Sequence, residues 1–247
     1  MILRKWDDLP NELKTDEIRK YYDILSKKKF GIALKRIFDI TVSFILIVLL
    51  SPVFLILAIA IKAESKGPVF YRQTRITQYG ENFKIYKFRS MVHNADKIGT
   101  QVTVGNDLRI TKVGRIIRKF RLDEISQLID VLRGTMTFVG TRPEVPKYVE
   151  CYSNEMFATL LLPAGVTSLA SIYYKDESEL LDNADDPEKV YINDVLPSKM
   201  YYNLKAIREF SFWNDIKIMF MTVFAVFGKE YKGDYKIPEK ERVEEKV

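Results

Sequence analysis

The chain has 247 residues, enough for one globular domain of ordinary size with appendages, and its 47% hydrophobic content, with 15 Phe and 14 Tyr, excludes wholesale disorder. A formal net charge of +6 suits anionic lipid headgroups, a phosphorylated substrate or nucleic acid, and does not choose among them. The single cysteine, Cys151, excludes an internal disulfide, fits a reducing compartment and reads as a small half-buried residue.

Residues 1–36 read as a polar, amphipathic helical lead-in, with Leu13, Ile18, Tyr21, Tyr22, Ile24 and Leu25 among many charges. An uncharged apolar run follows from Ile40 to Ile61, about 22 residues against the roughly 20 needed to cross a hydrocarbon core. Ser51-Pro52 lies at its midpoint. Pro52 has no backbone N–H and clashes with the preceding turn, which predicts a kink or break near Ser51, and the Ser51 hydroxyl is placed to satisfy one freed backbone group. Lys27, Lys28, Lys29, Lys35 and Arg36 precede the run, and Lys62, Lys66, Arg72 and Arg75 follow it, so the positive-inside rule puts both ends in the cytoplasm. A helix-break-helix that dips into one leaflet and returns satisfies that rule, but its non-helical backbone needs cover at depth. These residues alone leave a straight span and a re-entrant hairpin both open. The long charged segment ahead of the run argues against a signal peptide.

Gly67-Pro68 marks a turn, and Val69–Ile76 and Phe83–Met91 read as two strands around residues 78–82. The stretch from His93 to Asp107 reads as a loop. From Thr111 to Phe120, apolar Val113, Ile116, Ile117 and Phe120 recur at helical spacing among basic residues, predicting an amphipathic helix suited to a membrane surface. A second helix is predicted from about Asp123 to Arg133, closed by Gly134. Thr137 to Pro146 reads as a tight Gly/Pro-rich loop. The acidic stretch 176–188 reads as a solvated loop ahead of a metal site, since it shows no ligand spacing. Phe210 to Phe227 is apolar over too short a length to span, and is expected to pack on the core or lie in the interface.

Arg118-Lys-Phe-Arg121-Leu-Asp123-Glu124 is the densest ionic cluster. Neighbouring helix positions diverge, so one carboxylate can face a reacting atom while the other holds a divalent cation. Magnesium bridges phosphates with only one or two carboxylates, and an Asp can act as a covalent nucleophile. Asp is also among the best N-cap residues, and on these residues alone capping ranks ahead of catalysis. Arg142, between Gly140 and the prolines Pro143 and Pro146, is suited to bidentate phosphate binding. Lys87 and Arg89, on the second strand, are suited to a diphosphate, although edge-strand charges also serve as mere protection. His93 has no histidine or cysteine partner for zinc. The chain has no Gly-Lys-Ser/Thr phosphate loop and no Gly-x-Gly-x-x-Gly fingerprint, so neither a P-loop ATPase nor a dinucleotide enzyme is supported.

Taken in order, these residues resemble the bacterial sugar transferases, the monotopic phosphoglycosyl transferases that start polysaccharide and glycoconjugate assembly. The similarity covers roughly residues 32–228: Lys35-Arg36-Ile-Phe-Asp39, Ser51-Pro52, Gly67-Pro68 with Gln73 and Arg75, Lys87-Phe-Arg89-Ser-Met91, Thr111-Lys-Val-Gly114-Arg115, Arg118, Leu122-Asp123-Glu124, Gln127-Leu128, Gly134, Val139-Gly140, Arg142-Pro143, Leu162-Pro163-Ala164-Gly165-Val-Thr167, Tyr202 and Asp215. Thr141 and Ala164 stand where the family commonly has proline and glycine. The resemblance implies an α/β fold, mainly helical with a small sheet or hairpin. It also implies a monotopic membrane protein on the cytosolic face of the cytoplasmic membrane, with a re-entrant helix at 35–64, a catalytic domain at 65–228, a lead-in at 1–34 and a charged tail at 229–247. It further implies transfer of a sugar 1-phosphate from a nucleoside diphosphate sugar, usually a UDP-sugar, to polyprenyl phosphate, with release of UMP. In that scheme Asp123 is the nucleophile, Glu124 the magnesium (Mg2+) ligand, Arg142 with Pro143 the phosphate holder, Arg118 the support of the carboxylate pair, and Lys87 and Arg89 line the site. Membrane lipid is a partner, nucleic acid is not, and a homodimer is compatible with the scheme. The alternative is a membrane-anchored basic module that binds anionic lipid or nucleic acid; a third places the run as a true span.

Overall fold

The computed structural model describes residues 3–95, 107–174 and 186–231. Most of the His93–Asp107 loop, most of the acidic stretch 176–188 and the tail beyond 231 lie outside the described residues.

The lead-in forms two 3₁₀ turns, Trp6–Asp8 and Asn11–Leu13, and then α1 (Asp16–Ser26), where the Thr15 hydroxyl accepts from the Ile18 N–H and caps the first turn. Leu13, Ile18, Tyr21, Tyr22 and Leu25 are buried against Leu161, Leu204, Ile207 and Phe210, so the lead-in shares the core of the body.

The apolar run becomes α2 (Lys29–Leu49) and α3 (Ser51–Glu64), bent by 61° at Leu50. Pro52 sits in the first turn of α3, where its missing N–H interrupts no helical bond, and the Ser51 hydroxyl donates to the Val48 carbonyl at 2.8 Å, as its position predicts. Among the described residues no single helix is long and apolar enough to cross a membrane, and the bent pair is compatible in length and composition with a re-entrant helix. One face of α2 packs Phe38, Val42 and Leu46 on the body, whereas Ile37, Phe44, Ile45 and Leu49 of α2 and Leu55, Ile56 and Ile59 of α3 are exposed.

Two cations counted as flanking charges are internal. Lys35 is 3% exposed and donates to the Val139 carbonyl at 2.7 Å and to Asp215 at 2.5 Å. Arg36 donates to the carbonyls of Val131 and Leu132 at 2.7 and 2.9 Å. One turn on, buried Asp39 accepts from the Thr137 hydroxyl at 2.7 Å and the Phe138 N–H at 3.2 Å.

β1 (Phe70–Ile76) and β2 (Asn82–Phe88) form the expected antiparallel hairpin, with Tyr71 opposite Lys87 and Gln73 opposite Ile85. The second strand ends at Phe88, short of the predicted Met91, which instead bridges Ile110. α4 (Lys112–Lys119) matches the predicted amphipathic helix; Thr111 caps it, Ile117 is buried, and Ile116 and Phe120 are exposed. The single helix predicted over Asp123–Arg133 is divided into a 3₁₀ turn, Leu122–Gln127, and α5 (Leu128–Arg133), which Gly134 closes at φ +89°.

The predicted loop from Thr137 to Pro146 is corrected at its start. Met136–Val139 is a fully buried strand, β3, and α6 (Pro146–Val149) ends the segment. β3 pairs in parallel with β4 (Ala164–Thr167), Met136 opposite Ala164 and Val139 opposite Thr167. Buried on both faces and four residues long, these strands have no alternation to reveal them. Ala164 takes ordinary strand geometry there, so glycine is not required. Cys151, read as half-buried, is exposed at the end of the α6 turn. Among the described residues the remaining elements are the 3₁₀ segments Gln78–Gly80 and Met156–Leu161, α7 (Leu169–Tyr173), α8 (Pro187–Val190), a π-helical turn Tyr191–Val195, α9 (Leu196–Arg208) and α10 (Phe212–Val226). α10 packs Ile218, Met219 and Met221 on the core and exposes Trp213, Phe220 and Phe224. The architecture is a mainly helical α/β body with, among the described residues, two two-stranded ladders.

Asp130 joins α5 to the hairpin by accepting from the Tyr86 N–H at 2.8 Å. Burial pushes its carboxyl up to about 6, against the pull of that hydrogen bond and of Arg72. The folded state therefore holds a proton between pH 3.8 and about 6 that the unfolded chain has lost, and stability falls as pH rises through that window. Asp130→Asn keeps an acceptor for Tyr86 without the charge. Urea unfolding is expected to show it more stable than wild type by about 2 kcal/mol at pH 8 and equal to it near pH 4; a gain that does not vary with pH would contradict this assignment.

Candidate active site

The carboxylate pair is placed by a backbone turn. After α4 the chain passes through Arg121 in the left-handed region, φ +52°, a conformation that non-glycine residues seldom adopt and that tends to mark functional turns. Arg121 occupies the N-cap position of the following 3₁₀ turn and no side chain caps it, so the capping role open to Asp123 is not what this residue does. Asp123 and Glu124 both lie inside the first turn, and Glu124 faces the hairpin and the loop after β3.

Glu124 is the hub. Arg142 grips it with two nitrogens, Nη2 at 2.7 Å from Oε1 and Nη1 at 3.3 Å from Oε2, and Lys87 Nζ stands 3.8 Å from Oε1. Burial alone would raise this carboxyl, but Arg142, and behind it Lys87 and Arg121, outweigh that and hold it at about 2. Asp123 moves the other way: burial raises it and the Glu124 charge adds to the rise, while Lys87 and Arg118 offset only part. Adjacent carboxylates are thus tuned apart, one locked as a charge and the other kept basic.

Arg142 is aimed by its loop. The parallel ladder continues past β3, with the Gly140 N–H donating to the Thr167 carbonyl at 2.9 Å and the Gly165 N–H to the Thr141 carbonyl at 2.8 Å. A Cβ on Gly165 would stand 2.2 Å from the Gly140 backbone, so the two strands approach closely only because glycine is there. Thr141 contributes its carbonyl, which a proline there would also supply. Arg142 Nη1 adds a contact to the Val166 carbonyl at 3.3 Å, and the Pro143 carbonyl accepts from Arg75 at 3.1 Å.

Arg118 faces Asp123 electrostatically and donates to the Ser90 hydroxyl at 2.9 Å. Arg89 is not brought to the site. It is 5% exposed, and its two terminal nitrogens donate to the carbonyls of Lys66 and Ser65, tying the end of α3 to the end of β2. Ser51 and Pro52, at the helix break, have the structural role already described.

Beside the Glu124 clamp opens a cleft of about 310 Å³ whose walls carry four cations, Arg75, Lys87, Arg142 and Lys199. Pro143, Glu144, Gln127, Tyr148 and Tyr191 complete most of the lining. Glu144, Tyr191 and Lys199 had no role in the sequence reading; the one signal for the last two is their eight-residue spacing on one helical stretch, which places them on a common face.

Among the described residues no group of three or more His, Cys, Asp or Glu side chains converges. Asp123 and Glu124 fit magnesium of the phosphate-bridging kind, which needs one or two carboxylates, and Arg142 occupies only two of the roughly four acceptor positions of Glu124.

The model of the family described as bacterial sugar transferase matches residues 30–229. The chain belongs to this family. Among its curated relatives, a UDP-glucose:undecaprenyl-phosphate glucose-1-phosphate transferase of Klebsiella pneumoniae is 39% identical over 199 residues, covering 78% of this chain and 40% of the relative. A UDP-N-acetylgalactosamine-undecaprenyl-phosphate N-acetylgalactosaminephosphotransferase of Aeromonas hydrophila is 37% identical over 194 residues, 77% of this chain and 43% of its own. An uncharacterized sugar transferase of Bacillus subtilis is 32% identical over 197 residues, 80% of this chain and 89% of its own length. This sugar transferase chain spans about 40% of the length of the first two relatives.

The depressed Glu124 carboxyl carries a stability consequence. A folded-state value of about 2 against an ordinary 4.5 makes the Arg142 pairing fully stabilising above pH 4.5 and progressively lost as pH falls toward 2. Arg142→Gln is expected to unfold at lower urea, by about 3 kcal/mol at pH 6, with the gap to wild type narrowing as pH falls from 4.5. A gap that stays constant across that window would contradict the pairing.

Proposed function

We propose that this sugar transferase moves a sugar 1-phosphate from a UDP-sugar to polyprenyl phosphate in two steps, through a phosphosugar held on Asp123. The observation that carries the reading is the adjacent pair of oppositely tuned carboxylates, Glu124 clamped by Arg142 and Asp123 kept basic by burial.

In the first step an Asp123 carboxylate oxygen attacks the sugar-linked phosphorus, forming a carboxyl–phosphate bond as the diphosphate P–O bond breaks and UMP departs with the electron pair. In the second, an oxygen of the lipid phosphate attacks the same phosphorus and Asp123 leaves as carboxylate, giving the polyprenyl diphosphate sugar. An anion attacking a diphosphate meets like-charge repulsion, and Lys87 and Arg142, on the wall of the cleft beside Glu124, oppose it. Lys87 and Arg142 both reach Glu124 and face the cleft, so they bind phosphate oxygens beside the nucleophile, while Arg118 balances the Asp123 charge. Glu124 would hold magnesium, which would supply charge neutralisation on the diphosphate when bound.

The same reading places the protein on the cytosolic face of the membrane. The exposed apolar sides of α2 and α3, with Ile116 and Phe120 of α4 and Trp213, Phe220 and Phe224 of α10, enter lipid as a re-entrant hairpin flanked by interfacial helices. Glu64, at the end of α3, accepts from the N–H groups of Lys112 and Val113 at 2.6 and 2.9 Å, so the hairpin is joined directly to the helix that leads into Asp123. A lipid phosphate at the interface then reaches the nucleophile without extraction of its chain.

The test is UMP release by the detergent-purified chain with magnesium and polyprenyl phosphate across a panel of UDP-sugars. Release with one sugar and a loss of about a thousandfold or more in Asp123→Asn are expected. Because burial raises the Asp123 carboxyl, release falls on the acid side at a higher pH than an ordinary aspartate would give. Retained turnover in Asp123→Asn would exclude the nucleophile. Salt-dependent lipid or nucleic-acid binding without any turnover would favour the basic interaction module instead.

A further inference from the structure

The cleft extends beyond the Arg142–Glu124 clamp to a buried polar trio that phosphoryl transfer does not use. Glu144 is 8% exposed and fixed between Pro143 and Pro146, its backbone carbonyl accepting from the Ile76 N–H at 3.0 Å. Its carboxylate accepts from the Tyr191 hydroxyl at 2.6 Å and from Lys199 Nζ at 3.5 Å, and Lys199 also reaches the Tyr191 oxygen at 3.2 Å. Tyr148 lies against Tyr191 with ring centroids 4.6 Å apart. A buried ion pair is commonly no better for stability than apolar side chains of the same volume, and this one lines an open cleft rather than a packed interior.

Two further groups lining the cleft point to a ligand. Gln127 is 1% exposed and its side-chain nitrogen finds no hydrogen-bond partner among the described residues, and neither does the buried Nε of Arg75. A buried donor without a partner is destabilising, and a ligand hydroxyl would relieve it. The Glu144 carboxylate repels phosphate, so the part of the donor that reaches it is uncharged. A hexose suits the remainder: its hydroxyls donate to a carboxylate and accept from an ammonium or amide, and its apolar ring face lies well on an aromatic surface.

We propose that Glu144, Tyr191, Lys199 and Gln127 form the subsite for the sugar of the donor, and that Glu144 and Tyr191 determine which hexose is accepted. This rests on the phosphoglycosyl transfer reading above. A site built to hydrogen-bond a hydroxyl discriminates strongly against an epimer, because the misplaced group leaves buried partners unpaired.

The experiment is kcat/KM for UMP release with UDP-glucose and its C4 epimer UDP-galactose, together with inhibition by UMP, for wild type, Glu144→Gln and Tyr191→Phe. Glu144→Gln is expected to lower kcat/KM for the preferred epimer about a hundredfold and Tyr191→Phe about tenfold. The other epimer changes less than about threefold, so discrimination narrows while the UMP inhibition constant is unchanged. Tyr191→Phe removes one hydroxyl and keeps the ring packing, so it decides the matter if Glu144→Gln fails to fold. Equal losses for both sugars with weakened UMP inhibition would assign the subsite to the nucleotide and overturn the proposal, as would wild-type discrimination in both variants. If wild type turned over no sugar nucleotide, the transfer reading itself would fall, and the subsite with it.

Discussion

The strand that carries the chain to Arg142 is held by one buried polar junction between α2 and the body. Lys35, Arg36 and Asp39 lie within about one helical turn of each other and reach three places: Asp215 of α10, the last carbonyls of α5, and the backbone and side chain of β3. β3 runs directly into Gly140 and Arg142, and Arg142 fixes Glu124. The first helix of the bent pair is thereby coupled to Glu124 of the candidate site through a few hydrogen bonds rather than through apolar packing alone. Such a junction is costly to break, because removing one partner leaves a buried charge uncompensated, at about 3–5 kcal/mol. Directional contacts of this kind set a register that a greasy interface would leave free to slide.

That register suits the chemistry proposed. A lipid phosphate cannot travel far from its interface and a sugar nucleotide cannot enter the bilayer, so the nucleophile must be held at one height. The Glu64 cap on α4 and the Arg89 bonds to Ser65 and Lys66 tie α3, the other helix of the bent pair, to the same body. Arg89 therefore serves the site through position and not through contact with phosphate.

Much of this was legible in the sequence where a residue's chemistry is local. Pro52 announced the helix break, Gly134 announced a stop, and the density of charge around Asp123 and Glu124 pointed to the candidate site. What was hidden is long-range. β3 and β4 are too short and too buried to show alternation, and Lys35 and Arg36 look like flanking charges until their partners, Asp215 and the α5 carbonyls, are brought to them. Arg89 was grouped with Lys87 because residues two apart on a strand share a face; the strand ends at Phe88, and the rule ends with it. Tyr191 and Lys199 meet Glu144 across about fifty residues of chain, a separation at which periodicity carries no information.

The central claim is that Asp123 becomes covalently bound to the sugar phosphate. Its most direct test is the intact mass of the purified chain, incubated with magnesium and its UDP-sugar in the absence of polyprenyl phosphate and quenched at once. The account predicts an added mass equal to one sugar phosphate, localised to the peptide holding Asp123 and discharged when the lipid acceptor is supplied. UMP release that requires the acceptor, with no adduct at any time, would mean direct displacement by the lipid phosphate and would contradict it.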